Sequence, residues 1–131
     1  MSKVVAMDPT AELKWVPKVD RELPEKDQLK ILYHPLNMRE DAKLTDEQIK
    51  SIQKGKRSEY RYMLQQSDIK RMEMTIIGWE NFVYPDGKKV PYSLENIAVI
   101  PPEIRKEYVE YITGRTREAE EDDDLGEAQT E

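Results

Sequence analysis

The chain has 131 residues, a formal net charge of −6 and no cysteine. That length suits one domain with a modest core. The lack of cysteine excludes disulfides, thiolate metal sites and cysteine nucleophiles, and it fits a reducing cytoplasm. No apolar run reaches the roughly 18 residues of a transmembrane helix, and the apolar start of the chain is too short for a signal peptide.

The acidity of the chain is concentrated at its C-terminus. Residues 117–131 hold one basic and eight acidic side chains and contribute −7 to the total of −6, so residues 1–116 carry +1. A stretch this charged and this poor in apolar residues cannot bury enough surface to fold. We predict a flexible N-terminus over residues 1–10, a single domain over residues 11–116 and a disordered acidic tail over residues 117–131.

The first element in chain order is a short strand. Leu13 and Trp15 alternate with polar residues until Pro17 ends the pattern, which is typical of an edge strand. An extended arm with Trp15 as its anchor is the alternative. Residues 18–27 are polar and proline-marked, and they predict a loop.

Residues 29–34 form the clearest strand pattern in the chain. They are rich in residues that favour sheets, and Pro35 removes the next backbone donor. Because strand side chains alternate between faces, we expect Leu29, Ile31 and Tyr33 to share one face.

Two helical segments follow this strand. Asn37 predicts a cap for a short helical turn through Ala42. Thr45 and Gln48 then have the spacing of a capping box, which predicts a separate helix over residues 46–54 that stops near Gly55. The side chains expected to face inward from this helix are Ile49 and Ile52.

The next stretch is ambiguous between strand and helix. In residues 58–65, Tyr60, Tyr62 and Leu64 alternate with Arg61 and Met63 and favour a strand, although the methionine, leucine, glutamine and arginine of this stretch are good helix formers. Ser67 then predicts the cap of a new helix. Its apolar stripe, at spacings of three and four, consists of Ile69, Met72, Ile76 and Trp79.

The C-terminal part of the domain is marked by turn chemistry. Pro85, Asp86 and Gly87 predict a type I turn with a glycine bulge in a hairpin near residues 82–92. Residues 93–100 predict one helical turn. A last helix begins near Pro102, ends at Gly114 and carries the stripe Ile104, Tyr108, Tyr111 and Ile112. The predicted fold is α+β, with a few short strands and about three helices.

The sequence contains no recognisable catalytic constellation. His34 is the sole histidine, so a multi-histidine metal site or a histidine-based nucleophile pair lacks partners. Residues 122–124 are three adjacent acids and do not supply the spaced ligands of a calcium loop. No phosphate loop or nucleophile elbow occurs. We therefore predict that the protein is not an enzyme and takes no cofactor or metal.

Candidate binding residues come from exposed aromatic and methionine positions. Residues 43–71 hold eight basic and four acidic side chains, with Tyr60 and Tyr62 interleaved among the basic ones. This pattern resembles a nucleic-acid-binding surface. Its net positive charge is too small to favour nucleic-acid binding over a role of the tyrosines in packing. A salt-sensitive contact between this segment and the acidic tail is a further hypothesis. We predict partner binding through Trp15, Tyr60, Tyr62 and Met74, the last because it lies off the apolar stripe.

A resemblance to a known family is carried by the order of motifs from residue 76 onward. The motifs are GWENF at residues 78–82, DG at 86–87, VPY at 90–92 and IPPEI at 100–104, preceded by WVPK at 15–18 and YHPL at 33–36. Over about residues 12–114, this order resembles the tail assembly chaperones of long-tailed bacteriophages and prophages.

The resemblance implies a non-enzymatic assembly factor of the host cytoplasm. Such a factor would bind the tape measure protein, with tail tube subunits and a second copy of itself as further candidate partners, and would have no membrane contact. The main alternative is a structural virion component, such as a head–tail connector or tail-completion protein. A third reading is an anti-host regulator that binds nucleic acid or a host protein through residues 43–71.

Overall fold

In the computed structural model of the protein, residues 4–54 and 57–114 are described, without the side chains of residues 51–63. Over these residues, three helices and a three-stranded antiparallel sheet make the fold α+β, as the sequence predicts. In chain order the elements are β1 (Leu13–Trp15), β2 (Lys30–Tyr33), α1 (Met38–Lys54), α2 (Arg57–Thr75), β3 (Ile76–Glu80) and α3 (Pro102–Thr113). The predicted tail over residues 117–131 lies outside the described residues.

The sheet has the order β1-β2-β3, with β2 in the centre. Trp15 pairs with Ile31, which pairs with Trp79 on the other side. The β2–β3 register shifts between Leu32 and Tyr33. The predicted edge strand at Leu13–Trp15 and the predicted strand over residues 29–34 are thus confirmed. The loop between them holds two short 3-10 turns, Lys18–Asp20 and Glu25–Asp27.

One face of the sheet carries the core. α2, α3 and a 3-10 turn at Glu95–Val99 contribute the other side chains to it. Fully burying one large apolar side chain contributes about 1.5–3 kcal/mol, and burial of this kind is the dominant favourable term in folding. The buried members are Trp15, Ile31, Tyr33, Met72, Ile76, Ile97, Ile100, Tyr108 and Val109.

α1 is one continuous helix rather than a short turn followed by a separate helix. Asn37 caps it as predicted, because its side-chain Oδ1 accepts hydrogen bonds from the backbone N–H groups of Arg39 (2.9 Å) and Glu40 (3.2 Å). The predicted capping box at Thr45 is wrong. The Thr45 hydroxyl donates to the carbonyl of Asp41 at 3.0 Å, which is an interior contact one turn back.

The register of α1 also differs from the prediction. Ile49 is 46% exposed, whereas Leu44 and Gln48 are buried. The expectation that Ile49 faces inward is therefore wrong, and the side chain of Ile52 lies outside the described ones. The helix turns its buried face toward α2, where Gln48 finds a polar partner in Arg71.

α2 replaces two predicted elements. The strand predicted over residues 58–65 is wrong, since the backbone is helical from Arg57 to Thr75. Ser67 is not a cap but a buried residue inside this helix, 2% exposed. The alternation of apolar residues over 60–64 is a weak signal, and the helix-forming residue types around it decide the local structure.

The helix ends at Thr75 and β3 begins with the next residue. The predicted helical stripe is therefore correct only through Met72. Ile76 and Trp79 belong to the strand. Ile76 is nevertheless buried in the core, as the helical stripe also predicts. The β-branched run Thr75–Ile77 followed by Gly78 is the signal that favours a strand here.

The predicted hairpin near residues 82–92 is present. The N–H of Tyr84 donates to the carbonyl of Lys88, and the N–H of Gly87 to that of Tyr84, both at 2.9 Å. Gly87 has φ of 87°, as the predicted bulge requires. Val83 and Lys89 form an isolated bridge rather than a long ladder.

α3 also follows its sequence signals. Pro102 occupies the first turn, and Gly114 ends the helix with φ of 69°. Tyr108 is fully buried, whereas Tyr111 is 52% exposed at the edge of the stripe. The Tyr111 hydroxyl lies 2.7 Å from that of Tyr33, which ties the last turn of α3 to the end of β2.

Candidate protein-binding groove

An apolar groove of about 700 Å³ lies where the start of α1, the end of α3 and the edge of β1 meet. We call it the α1–α3 groove. Its walls come from segments far apart in the sequence, so the fold assembles it. The lining residues are Met7, Leu13, Tyr33, Pro35, Leu36, Met38, Asp41, Ala42, Thr45, Asp46, Ile112 and Thr113.

Three large apolar side chains are exposed at the groove. Met38 is 79% exposed, Met7 60% and Leu13 41%, while Tyr33 and Leu36 are buried beneath them. Methionine is flexible and adapts to differently shaped apolar partners. Grouped exposed apolar side chains that surround a depression are typical of an interaction site.

Local structure explains why these side chains are presented outward. Met38 is the first residue of α1, directly after the Asn37 cap, so it lies at the open end of the helix. Leu13 begins the edge strand β1 and pairs only with Tyr33 of β2. His34 holds this end of the sheet, with its Nδ1 2.9 Å from the carbonyl oxygen of Ala11. That contact gives His34 the structural role expected from its position before a proline.

A turn at Asp8 directs the N-terminal segment toward the groove. The Asp8 carboxylate accepts hydrogen bonds from the hydroxyl (2.7 Å) and backbone N–H (2.9 Å) of Thr10. These bonds lower the pKa of the Asp8 carboxyl below its ordinary value, because they stabilise the charged form. The turn leaves Met7 beside Leu13 in the lining.

The hydroxyl groups of the groove are already engaged within the protein. Thr45 donates to the carbonyl of Asp41, and Thr113 donates to that of Val109 at 2.7 Å. Burial, followed by the hydrogen bond with Tyr111, raises the pKa of Tyr33 far above its ordinary value. The Tyr33 hydroxyl therefore stays protonated at neutral pH. The groove offers apolar surface and two carboxylates, Asp41 and Asp46, rather than a reactive group.

A second cavity of about 430 Å³ lies at the other edge of the sheet, beside β3. Lys26, Lys30 and Lys89 line it together with Glu80. The Lys30 ammonium lies 3.4 Å from Glu25, so part of the positive charge is paired. The lining also includes Trp79, Asn81, Phe82 and Val90.

The polar groups of Trp79 and Asn81 at this second cavity serve the fold. Trp79 donates its indole N–H to the carbonyl of Val90 at 2.8 Å and thereby holds the hairpin on β3. The amide of Asn81 donates at 2.8 Å to the carbonyls of Lys26 and Gln28. These bonds engage the indole N–H of Trp79 and the amide nitrogen of Asn81 within the fold.

Two of the predicted partner-binding residues, Trp15 and Met74, lie outside the groove. Trp15 is 4% exposed and packs in the core against Tyr108, so it lacks the exposed surface that a partner anchor needs. Met74 is 36% exposed on α2, as its position off the stripe predicts, but it does not line the α1–α3 groove. Tyr60 and Tyr62 lie on α2, and their side chains are outside the described ones.

Sequence reasoning missed Leu13, Leu36 and Met38 as candidate binding residues. For Met38 a signal was available: an apolar side chain directly after an N-cap lies at the open end of a helix, where no neighbouring turn covers it. Leu36 follows Pro35 and is buried, and its place beneath the groove depends on how α1 and α3 pack. No comparable local signal marks it.

The described part of the chain lacks two other kinds of structural feature. Within residues 4–54 and 57–114, no group of three or more histidine or acidic side chains is arranged to hold a metal ion. No helix in the same part of the chain is both long and apolar enough to span a membrane.

Comparison with known proteins returned no relative. No protein family, curated protein sequence or solved structure matches the chain. The α1–α3 groove and the order of sequence motifs are therefore the observations from which a function can be argued.

Proposed function

We propose that this protein is a non-enzymatic assembly factor that binds an apolar helical segment of a partner protein in the α1–α3 groove. The observation that carries the proposal is the exposure of Met7, Leu13 and Met38 around the buried side chains of Tyr33 and Leu36. Amphipathic helices bind proteins by laying their apolar face into such a groove, with anchors three or four residues apart.

A helix fits this site better than an added strand. β1 has three residues, so a strand paired to its free edge would gain few backbone hydrogen bonds. The groove instead lies between the ends of two helices and exposes side chains rather than backbone. Among the described lining residues, the two that carry a charge at neutral pH are both acidic, which complements a helix with basic residues beside its apolar stripe.

The resemblance to phage tail assembly chaperones supplies the identity of the partner. Tape measure proteins are long and helical, and a factor that covers their apolar stripes would keep them apart until the tail tube forms. In this proposal the protein acts in the host cytoplasm, binds the tape measure protein, and presents the complex to tail tube subunits. Self-association of the factor is compatible with this role.

The proposal is tested by co-expression with overlapping segments of the tape measure protein, followed by affinity measurement on the segment that co-purifies. Met38→Gln polarises the groove without affecting the core, because Met38 is 79% exposed. We expect affinity to fall about tenfold, the equivalent of losing most of one buried apolar side chain.

Met74→Gln is the matched control, since Met74 is exposed on α2 and does not line the groove. Equal effects of the two substitutions would show that the groove is not the binding site. If no segment co-purifies and purified virions hold the protein in stoichiometric amounts, the structural-component alternative replaces the chaperone role.

A further inference from the structure

We infer that the α1–α3 groove selects a partner helix with basic residues along one flank of its apolar stripe. Asp46 is the residue that recognises the charge of these basic side chains. This inference rests on the proposed function and specifies the chemistry of the partner. It starts from the charge of the lining: among the residues that the structure describes, Asp41 and Asp46 line the groove and no lysine, arginine or histidine does.

The two carboxylates lie on a single wall. Both belong to α1, whereas the apolar lining residues Leu13 and Ile112 belong to β1 and α3. A bound helix would therefore turn its apolar stripe toward Leu13 and Ile112 and one flank toward α1. Basic residues on that flank would find opposite charges, whereas acidic residues there would be repelled.

The two carboxylates have different surroundings. Asp41 is held by Arg71, whose Nε lies 2.6 Å from Asp41 Oδ1, so an internal cation already offsets much of its charge. Asp46 is exposed on the same helix, five positions further on. An exposed carboxylate at a binding site acts mainly on the association rate and on salt dependence. Asp46 is consequently the residue whose charge a partner would sense most strongly.

The exposed carboxylate sets the form of the partner motif. Arg71 offsets the charge of Asp41, so Asp46 is the exposed acidic side chain among the described lining residues. Two basic residues four positions apart lie on one face of a partner helix, about 6 Å apart along its axis, so either one can approach Asp46. The motif is thus an apolar stripe with a pair of basic residues about one turn apart on one flank.

The experiment uses three synthetic helical peptides of about 18 residues, five turns long, with identical leucine stripes. The flanking pair is lysine in the first peptide, glutamine in the second and glutamate in the third. Fluorescence anisotropy gives the Kd of each peptide for the full chain at low and high salt. We expect the lysine peptide to bind about fivefold more tightly than the glutamine peptide at low salt, with the glutamate peptide weakest.

Substitutions at Asp46 test whether this residue recognises the charged pair of the peptide. Asp46→Asn should abolish the preference for lysine, and Asp46→Lys should invert it in favour of the glutamate peptide. Glu40→Gln is the control, because Glu40 is exposed on α1 and does not line the groove. It should leave the order of affinities unchanged.

The possible results separate this inference from the function on which it rests. Equal binding of all three peptides, lost on Met38→Gln, would overturn charge selection and leave the groove as a helix-binding site. If none of the three peptides binds, both the charge selection and the helix-binding role of the groove are overturned. If the Asp46→Lys variant still prefers the lysine peptide, residues other than Asp46 recognise the charge of the peptide.

Discussion

Arg71 is the residue that fixes the wall of the groove. Its side chain is fully buried, and its Nε lies 2.6 Å from Asp41 Oδ1. Its other nitrogens reach Gln48 Oε1 at 3.0 Å and Asp68 Oδ1 at 3.4 Å. A buried guanidinium is tolerated only when its donors are matched in this way. Because Asp41 and Gln48 belong to α1 and Arg71 to α2, the cluster holds the two helices in one relative position.

We predict that Arg71→Met lowers the free energy of unfolding by about 3 kcal/mol, because it leaves Asp41 and Gln48 without their buried partner. Urea denaturation followed by circular dichroism measures the change. The matched control is Lys70→Met on the same helix, since Lys70 pairs with Glu47 at 3.9 Å on the surface. That substitution should cost less than about 1 kcal/mol. Similar losses for both variants would contradict the role assigned to the buried cluster.

Trp15 shows how residue type alone can mislead about function. A lone tryptophan in a strand near the N-terminus suggests an exposed anchor, but its ring packs against Tyr108 at 5.3 Å in an edge-to-face arrangement. Its indole Nε1 is buried without a hydrogen-bond partner. The favourable free energy of burying the apolar ring must exceed the cost of removing this N–H group from water. Only the packing of α3 on the sheet reveals this, and no local pattern around residue 15 encodes it.

At the scale of elements, α1 depends on its cap. We predict that Asn37→Ala lowers the free energy of unfolding by about 1 kcal/mol, since the N–H groups of Arg39 and Glu40 lose their acceptor. Asn37→Asp keeps an acceptor oxygen and should retain most of the stability. Urea denaturation of the two variants measures the difference. Equal stability of Asn37→Ala and the wild type would show that the first turn of α1 does not depend on this cap.

The elements that the sequence predicts correctly are those set by local chemistry. β2 ends before Pro35, α3 starts at Pro102 and ends at Gly114, and the hairpin turns at Gly87. In each case a proline or glycine restricts or permits a backbone conformation that few other residues share. Such signals act over two or three residues and do not depend on the rest of the fold.

The boundary between α2 and β3 is predicted wrongly because a tertiary contact acts there together with the local β-branched run. The change from α2 to β3 occurs inside a continuous apolar pattern, since Met72 and Ile76 are both buried on either side of it. What places Ile76 in a strand is pairing with Tyr33 of β2, more than 40 positions earlier in the chain. A helical period of three and four cannot report a partner at that distance.

The groove is likewise a property of the whole molecule. Its lining combines the N-terminal segment, β1, the loop after β2, the first turns of α1 and the last turn of α3. Each piece is ordinary in sequence, and the concave surface arises only when α3 closes over the sheet. This is why Trp15 and Met74, which were chosen by residue type, do not line the groove.

Closure of α3 over the sheet depends on Tyr108, and this gives the stability of the molecule a pH dependence. The Tyr108 ring contacts those of Trp15 and Tyr33, and its hydroxyl lies 2.7 Å from that of Thr75 at the end of α2. Burial raises the pKa of Tyr108 far above its ordinary value of 10.0, although the hydrogen bond with Thr75 opposes that shift. The folded protein therefore keeps this proton at a pH where the unfolded chain releases it.

The sign of the effect follows from proton binding. Below pH 10 the folded and unfolded states both hold the Tyr108 proton; above it the unfolded state loses the proton first, so the free energy of unfolding falls as pH rises. We predict that wild-type stability declines more steeply above pH 10 than that of Tyr108→Phe, which has no phenolic proton to release. The variant should start about 1 kcal/mol lower at neutral pH, because Thr75 loses a hydrogen-bond partner.

Urea denaturation at intervals from neutral to alkaline pH measures both curves on the same protein preparation. Lysine side chains also titrate above pH 10, but they are common to both proteins, so the difference between the curves isolates the phenol. The two curves should converge as pH rises, because the wild type loses the stability contributed by the Tyr108 hydroxyl, which the variant lacks. Parallel curves would mean that the Tyr108 hydroxyl ionises as readily in the folded protein as in the unfolded chain, and that α3 does not seal the core around it.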